Sequence, residues 1–129
     1  MANIGRQLII TPLERGLVLT PETAEVKAGV ETFVVAVDWS KNADKTSARV
    51  WTALTVKDFR DIGSGSLVTA TPTPLRIPDG DTAAWHVSFP DPNISGKDKY
   101  YSYVIELEPY AKPADTWIID PVIVIKPWY

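Results

Sequence analysis

The only histidine of the chain, His86, is the first residue that could take part in catalysis. Ser88 follows two positions later on the same face of a predicted strand, and a nucleophilic serine needs a histidine base. A triad also requires an acid that orients the histidine, and the spacing marks out no such acid. We therefore predict that His86 is a surface-facing strand residue and that the chain is not an enzyme.

The small number of histidines and cysteines also limits metal binding. One histidine and no cysteine do not supply the ligands of a conventional zinc site. Side chains in two predicted loops could present oxygens to Ca²⁺: Asp79, Asp81, Asp91 and Asn93. The Asp-x-Asp-x-Asp-Gly…Glu pattern of a calcium loop is missing, so we interpret these residues as turn formers and leave calcium open. We predict no cofactor and no metal site.

Aromatic side chains are the most abundant binding groups, with five Trp and five Tyr. Trp39, Trp51 and Trp85 fall on predicted strands, where we expect them in the core or on a sheet face. A second group lies near predicted loops or the C-terminus: Tyr110, Trp117, Trp128 and Tyr129. Exposed rings at such places suit stacking on sugars or a protein interface.

Composition and charge narrow the class of protein. The chain has 129 residues, 45% of them hydrophobic and 22% charged, which is typical of one globular domain. There are 13 Lys and Arg against 16 Asp and Glu, for a net charge of −3, and the basic residues form no stripe. Nucleic acid is therefore not an expected partner. We predict one β-sandwich domain over residues 1–129.

Two features of the sequence bear on location. The N-terminal Met-Ala-Asn-Ile-Gly-Arg lacks the apolar core of a signal peptide. The longest apolar runs, such as Val122 to Ile125, are too short to cross a bilayer. We expect the protein to be cytoplasmic as synthesised, or part of a virion, with no membrane partner.

Period-two alternation of apolar and polar residues predicts strands throughout the chain. The runs 31–39, 82–89 and 101–108 show it most clearly. No segment keeps a period of 3.6 residues over three turns, and residues 42–48 are expected to form one helical turn at most. The predicted strands cover residues 6–10, 16–20, 24–27, 31–39, 48–57, 66–71, 82–89, 101–108 and 117–126, with a short edge piece at 73–77.

The spacing of these strands sets the fold class. Strands that recur at roughly 10–17 residues without helices favour two packed sheets. We predict an all-β, single-domain antiparallel two-sheet sandwich of 7–9 strands, immunoglobulin-like or jelly-roll-like.

Three sequence marks, in this order, resemble an immunoglobulin-like sandwich. Val26-Lys-Ala-Gly29 runs into the apolar strand Phe33–Val37, Trp51 stands alone in the next strand, and Tyr101-Ser-Tyr103 opens a later one. In that family an inward residue on the second strand, a Trp on the third and a Tyr-x-Cys on the sixth meet in the core. The resemblance covers residues 24–108, lacks both family cysteines, and concerns the fold alone.

The resemblance implies two specific arrangements. Val35, Trp51 and Tyr103 should pack together in the core. Tyr101 should be a corner tyrosine, whose hydroxyl bonds a backbone group near residues 95–98.

The last predicted strand, 117–126, is apolar on both faces, whereas one face of a lone sandwich should be polar. We predict that this strand contacts another subunit; the competing account is that Leu8-Ile-Ile10 covers it within the same chain. Pro121 cannot donate a ladder hydrogen bond, so a bulge or sheet switch is expected there. The predicted interface residues are Ile118, Val122, Val124, Trp128 and Tyr129.

These observations favour a non-catalytic structural subunit, of the kind found among viral or phage decoration proteins or bacterial assembly proteins. Its expected partners are copies of itself or other assembly subunits. The alternative is a carbohydrate-binding module that uses Tyr110, Trp117 and Trp128. An oligomer in solution would favour the first hypothesis, and an exposed row of aromatic rings the second.

Overall fold

Two packed β-sheets make up the part of the chain that the structure describes. This structure is a computed structural model that describes residues 5–72, 74–110 and 116–127. Strands account for 54% of residues and helix for 3%. The strands are β1 (Gly5–Pro12), β2 (Leu17–Thr20), β3 (Ala24–Lys27), β4 (Thr32–Val37), β5 (Trp51–Asp61), β6 (Leu75–Pro78), β7 (Trp85–Val87), β8 (Lys99–Pro109), β9 (Trp117–Ile119) and β10 (Val122–Lys126).

The strand order confirms the predicted all-β two-sheet sandwich. One sheet has the order β2-β1-β4-β7, and the other has the order β3-β10-β8-β5-β6, with β9 also paired to β8. β4 lies between β1 and β7 in the first sheet, and β8 lies between β10 and β5 in the second. The β1–β2 hairpin forms one edge of the first sheet.

Two of the pairings are parallel, which the antiparallel prediction did not include. β1 runs parallel to β4, and β10 runs parallel to β3. A parallel pair needs a connection of about a dozen residues or more. Here β2 and β3 lie between β1 and β4, and most of the chain lies between β3 and β10. Alternation of apolar residues is the same for both directions, so it did not distinguish them.

The strand count exceeds the predicted seven to nine because the last predicted strand is divided. Asp120 and Pro121 separate β9 from β10, and both pieces pair with β8. The Tyr103 backbone N–H donates to the Pro121 carbonyl at 3.0 Å, so the ladder continues across the break. The irregularity expected at Pro121 is therefore present.

One predicted strand is absent, and the helical turn allowed at residues 42–48 does not form. Residues 66–71 form isolated bridges instead of a strand, and this segment lies in the long β5–β6 connection. Residues 42–48 form no helical turn, because the Asp44 carboxylate accepts from the backbone N–H groups of Thr46 and Ala48 and closes a tight turn. A short 3₁₀ helix lies just before, at Trp39–Lys41.

An aromatic cluster fills the middle of the core. Phe59 stacks on Tyr103 with ring centroids 5.2 Å apart and meets Phe89 edge-on at 5.1 Å. Phe59 faces inward because β5 has an irregularity between Lys57 and Arg60, where Asp58 adopts a φ of 56°. The extra residue at such a bulge inverts the alternation that follows it.

Trp51 is buried, as are Val35 and Tyr103, but the predicted contact between Trp51 and Tyr103 is wrong. Trp51 lies opposite Pro109 at the end of β8, about 20 Å along the strand from Tyr103. Its indole N–H donates to the Leu13 carbonyl at 2.7 Å. Trp51 thus closes one end of the sandwich.

The corner role predicted for Tyr101 is also wrong. Its side chain is buried, with 7% exposed, yet its hydroxyl makes no hydrogen bond within the described residues. Asn93 holds the 88–98 connection instead, since its Nδ2 donates to the carbonyls of Lys97 at 2.7 Å and Ile125 at 2.8 Å. The Asn93 side-chain oxygen accepts from Ser95.

Candidate functional site

His86 lies on the outer face of the four-stranded sheet, opposite Val34 of β4. Its side chain is exposed, and no described carboxylate forms a hydrogen bond or ion pair with it. Ser88 points to the same side beyond the end of β7 and pairs through its backbone with Thr71. The two residues therefore share a face without the orienting acid of a catalytic triad.

Asp79 is the centre of the largest polar network among the described residues. Its carboxylate accepts from Arg49 Nε at 3.0 Å, from Asn42 Nδ2 at 3.2 Å and from the Tyr110 hydroxyl at 3.1 Å. The hydrogen bond with Arg49 holds the pKa of Asp79 below its ordinary value. Both Asp79 oxygens are thus used by protein donors, which explains the residue as a structural anchor between connections.

The other proposed calcium ligands have separate roles. Asp81 accepts from the Ala83 backbone N–H at 2.9 Å, as in a turn. Asn93 is 2% exposed, and its side-chain amide already bonds Ser95 and the Lys97 carbonyl. Asp91 forms no side-chain hydrogen bond with a described residue. Among the described residues, no group of three or more His, Cys, Asp or Glu could hold a metal ion.

The network around Asp79 joins several connections at one end of the sandwich. Asn42 is completely buried, and its amide exchanges two hydrogen bonds of 2.8 Å with the Trp51 backbone. Arg49 Nη2 also donates to the Trp39 carbonyl at 2.9 Å. Sequence analysis did not identify Asn42 or Arg49; the only signal was their place in the charged segment between two apolar strands.

The two described members of the predicted aromatic binding set, Tyr110 and Trp117, lie on different sides of β8. Tyr110 is 54% exposed and leans toward Asp79, which follows β6 on one side of the six-stranded sheet. Trp117 is 36% exposed and lies on the opposite side, against Gly16, where an added Cβ would be 3.2 Å from the indole ring. Trp128 lies outside the described residues.

Three of the five predicted interface residues share the outer face of the six-stranded sheet. Ile118 is 55% exposed, Val122 is half-buried, and Val124 is buried, with 8% exposed. The inner face of β10 is covered by the core through Ile123 and Ile125. Because only 8% of Val124 is exposed, this residue offers little surface for contact with another subunit. The other two predicted interface residues, Trp128 and Tyr129, lie outside the described residues.

A groove at one open side of the sandwich extends this surface. β2 is an edge of the four-stranded sheet, and β9 pairs only with β8 among the described strands. The groove between them has a volume of about 350 Å³. It is lined by Leu17, Val18, Leu19, Glu22 and Ile119. Val18 is 48% exposed, and Leu17, Leu19 and Ile119 are partly buried against the core.

The edges at this groove differ from two of the other edges of the sandwich, β3 and β6, whereas the edge strand β7 (Trp-His-Val) likewise has no Asp, Glu, Lys, Arg or Pro. β2 (Leu-Val-Leu-Thr) and β9 (Trp-Ile-Ile) contain no charged residue. In contrast, β3 carries Glu25 and Lys27, and β6 carries Arg76 and Pro78, residues that protect an edge from pairing. Sequence analysis missed β2 as part of the surface, although its lack of charge was visible.

Comparisons with known proteins add no relative. No protein-family model matches the chain, and neither the curated proteins nor the solved structures contain a match. No helix in the described ranges has the length and apolar content needed to span a bilayer. The candidate surface is therefore defined by the geometry of the chain itself.

Proposed function

We propose that the protein is a non-catalytic structural subunit that assembles with copies of itself through the edges of β2 and β9. The observation behind this proposal is that two uncharged, apolar strand edges lie together beside an open groove. Exposed apolar patches mark interaction sites, and an unguarded edge accepts another strand. Decoration-type subunits of viruses or phages and bacterial assembly proteins are settings in which such a subunit would act.

A second copy of the chain is the partner that fits these edges best. The chain carries a net charge of −3, so surfaces that meet in a homo-oligomer must avoid facing like charges. β2 and β9 meet this requirement because neither has a charged residue. Identical strands can pair antiparallel about a twofold axis, which makes a closed and self-complementary contact.

Assembly is tested by measuring mass in solution and introducing edge charges. Sedimentation velocity of the unmodified chain should show an oligomer. Val18→Lys and Ile118→Lys should shift it to monomer while circular dichroism and melting temperature stay near native, because both side chains are exposed. Ile62→Lys is the matched control, since Ile62 is 51% exposed and lies beside Tyr100 at the start of β8, away from residues 105–107 that pair with β9.

Two outcomes would contradict the proposal. The first is that the unmodified chain is monomeric across the micromolar range. The second is that Ile62→Lys dissociates the oligomer as much as the two edge variants do. Dissociation by only one of Val18→Lys and Ile118→Lys would support the proposal and identify which edge pairs.

A further inference from the structure

The Tyr101 hydroxyl lies at the end of the sandwich opposite Asp79. The residue is 7% exposed, and its hydroxyl forms no hydrogen bond with another described residue. The hydroxyl is not enclosed, since Trp85 Nε1 is the only fully buried side-chain polar atom without a partner among the described residues. The Tyr101 hydroxyl is therefore open to water or to a ligand, toward which it can donate and accept.

The Tyr101 ring lines a cleft between the β5–β6 and β7–β8 connections. The cleft has a volume of about 270 Å³. Asp61 and Asp91 lie on its walls. Burial raises the pKa of Tyr101, and the negative charges of these two carboxylates raise it further. Tyr101 therefore shares the cleft with two acids, one from the end of β5 and one from the β7–β8 connection.

The polar groups of this cleft are mostly unused. Asp91 and Lys99 make no side-chain hydrogen bond or ion pair with described residues, and Asp61 accepts only from the Gly63 backbone N–H, at 2.8 Å. The cleft thus offers carboxylates that accept hydrogen bonds, an ammonium group that donates them and a hydroxyl that can donate and accept. Leu67 and Pro92 add apolar surface beside them.

We propose that this cleft binds a neutral polyhydroxylated ligand, such as one ring of a saccharide. Vicinal hydroxyls both donate and accept, so they can satisfy Asp61, Asp91, Lys99 and Tyr101 together, while the C–H face of a ring lies on Leu67 and Pro92. Lys99 disfavours a divalent cation, because its ammonium group would face the metal. The cleft is slightly smaller than the roughly 300 Å³ at which sites for drug-sized ligands begin, and this suits a single ring.

This site is independent of the proposed assembly surface. Its residues come from the end of β5, the start of β8 and the β5–β6 and β7–β8 connections, and none belongs to β2 or β9. It also shares no residue with the aromatic set Tyr110, Trp117 and Trp128 that the sequence suggested for sugars. Loss of ligand binding without loss of assembly would therefore test this inference alone.

Amide NMR spectra of the full chain would test the site. The probes are D-glucose, D-galactose, D-mannose and their N-acetylated derivatives, each titrated well beyond a Kd of about 1 mM, the affinity expected for one ring. Saturable shifts should appear in residues 61–69 and 91–101. Tyr101→Phe should weaken binding about two- to tenfold, and Asp91→Asn about tenfold or more. Tyr110→Phe is the matched control and should leave binding unchanged.

Each other outcome overturns the proposal. One such outcome is that no sugar shifts the amide signals of these residues. Another is that Tyr110→Phe weakens binding as much as Tyr101→Phe does. A third is that calcium chloride produces saturable shifts and the sugars produce none, which would show that the cleft binds a cation. Sedimentation of Tyr101→Phe and Asp91→Asn should match the unmodified chain, and this separates the result from the test of assembly.

Discussion

Arg49 and Asp79 form a two-point ion pair that joins two connections at one end of the sandwich. Arg49 Nε lies 3.0 Å from Asp79 Oδ2, and Arg49 Nη2 lies 2.5 Å from Oδ1. Asn42 and Tyr110 donate to the same carboxylate. The pair therefore fixes the β4–β5 connection, the residue after β6 and the end of β8 relative to one another.

Acid should weaken this end of the sandwich. The hydrogen bond from Arg49 lowers the pKa of Asp79 below 3.8, so the folded state is stabilised above that pH and loses this contribution as pH falls through 3.8 toward the folded pKa. Asp79→Asn should cost about 1–2 kcal/mol near pH 7, a figure reduced because the Arg49 side chain is 40% exposed. Urea unfolding should show a smaller difference from the unmodified chain near pH 3.

The control for this prediction is Asp98→Asn. Asp98 pairs with Lys126, and both side chains are more than a third exposed. This substitution should change stability by about 0–1 kcal/mol at either pH. An equal pH dependence in the two variants would show that the Asp79 network does not stabilise the fold.

Removing the Asn42 side chain should be unusually costly for a loop residue. Asn42→Ala would leave the Trp51 N–H and C=O groups buried without partners, because the amide now bonds both at 2.8 Å. We expect a loss of about 2–4 kcal/mol in the free energy of unfolding. Thr46→Ala, in the exposed part of the same connection, should cost about 1 kcal/mol or less. Equal losses in urea unfolding would contradict the structure.

Trp51 should stabilise the fold through packing and one hydrogen bond. Trp51→Ala should cost about 3–5 kcal/mol, since the ring is 6% exposed. Trp51→Phe keeps most of the buried ring and loses the bond to the Leu13 carbonyl, so its cost should include about 0.5–1.5 kcal/mol for that bond. A melting temperature unaffected by Trp51→Ala would show that this end of the sandwich is wrongly described.

Two glycines allow a matched test of a close contact. Gly29 has a φ of 82°, and a Cβ there would be 3.1 Å from Pro92 Cβ, whereas Gly80 has a φ of 88° and open space around it. Both Ala variants should lose about 1–2 kcal/mol from backbone strain. Gly29→Ala should lose more, because Pro92 must also move. Equal losses in thermal unfolding would show that Pro92 yields freely.

The sequence determined the elements whose residues alternate without interruption. β8 was predicted because Tyr101, Tyr103, Ile105 and Leu107 recur at every second position, and in the structure all four are buried. β3 was predicted with its observed bounds, 24–27. In such strands each residue's face follows from local geometry alone. Turn residues such as the prolines and glycines between the apolar runs marked most of the boundaries.

Tertiary structure decided everything that depends on which strands are neighbours. The parallel pairings, the bulge that turns Phe59 inward and the distance between Trp51 and Tyr103 all follow from register between segments far apart in the chain. The same applies to the groove between β2 and β9 and to the cleft at Tyr101, since each is lined by segments that are far apart in the chain. Alternation reports which face a residue takes, whereas strand pairing is set by long-range packing that no local pattern encodes.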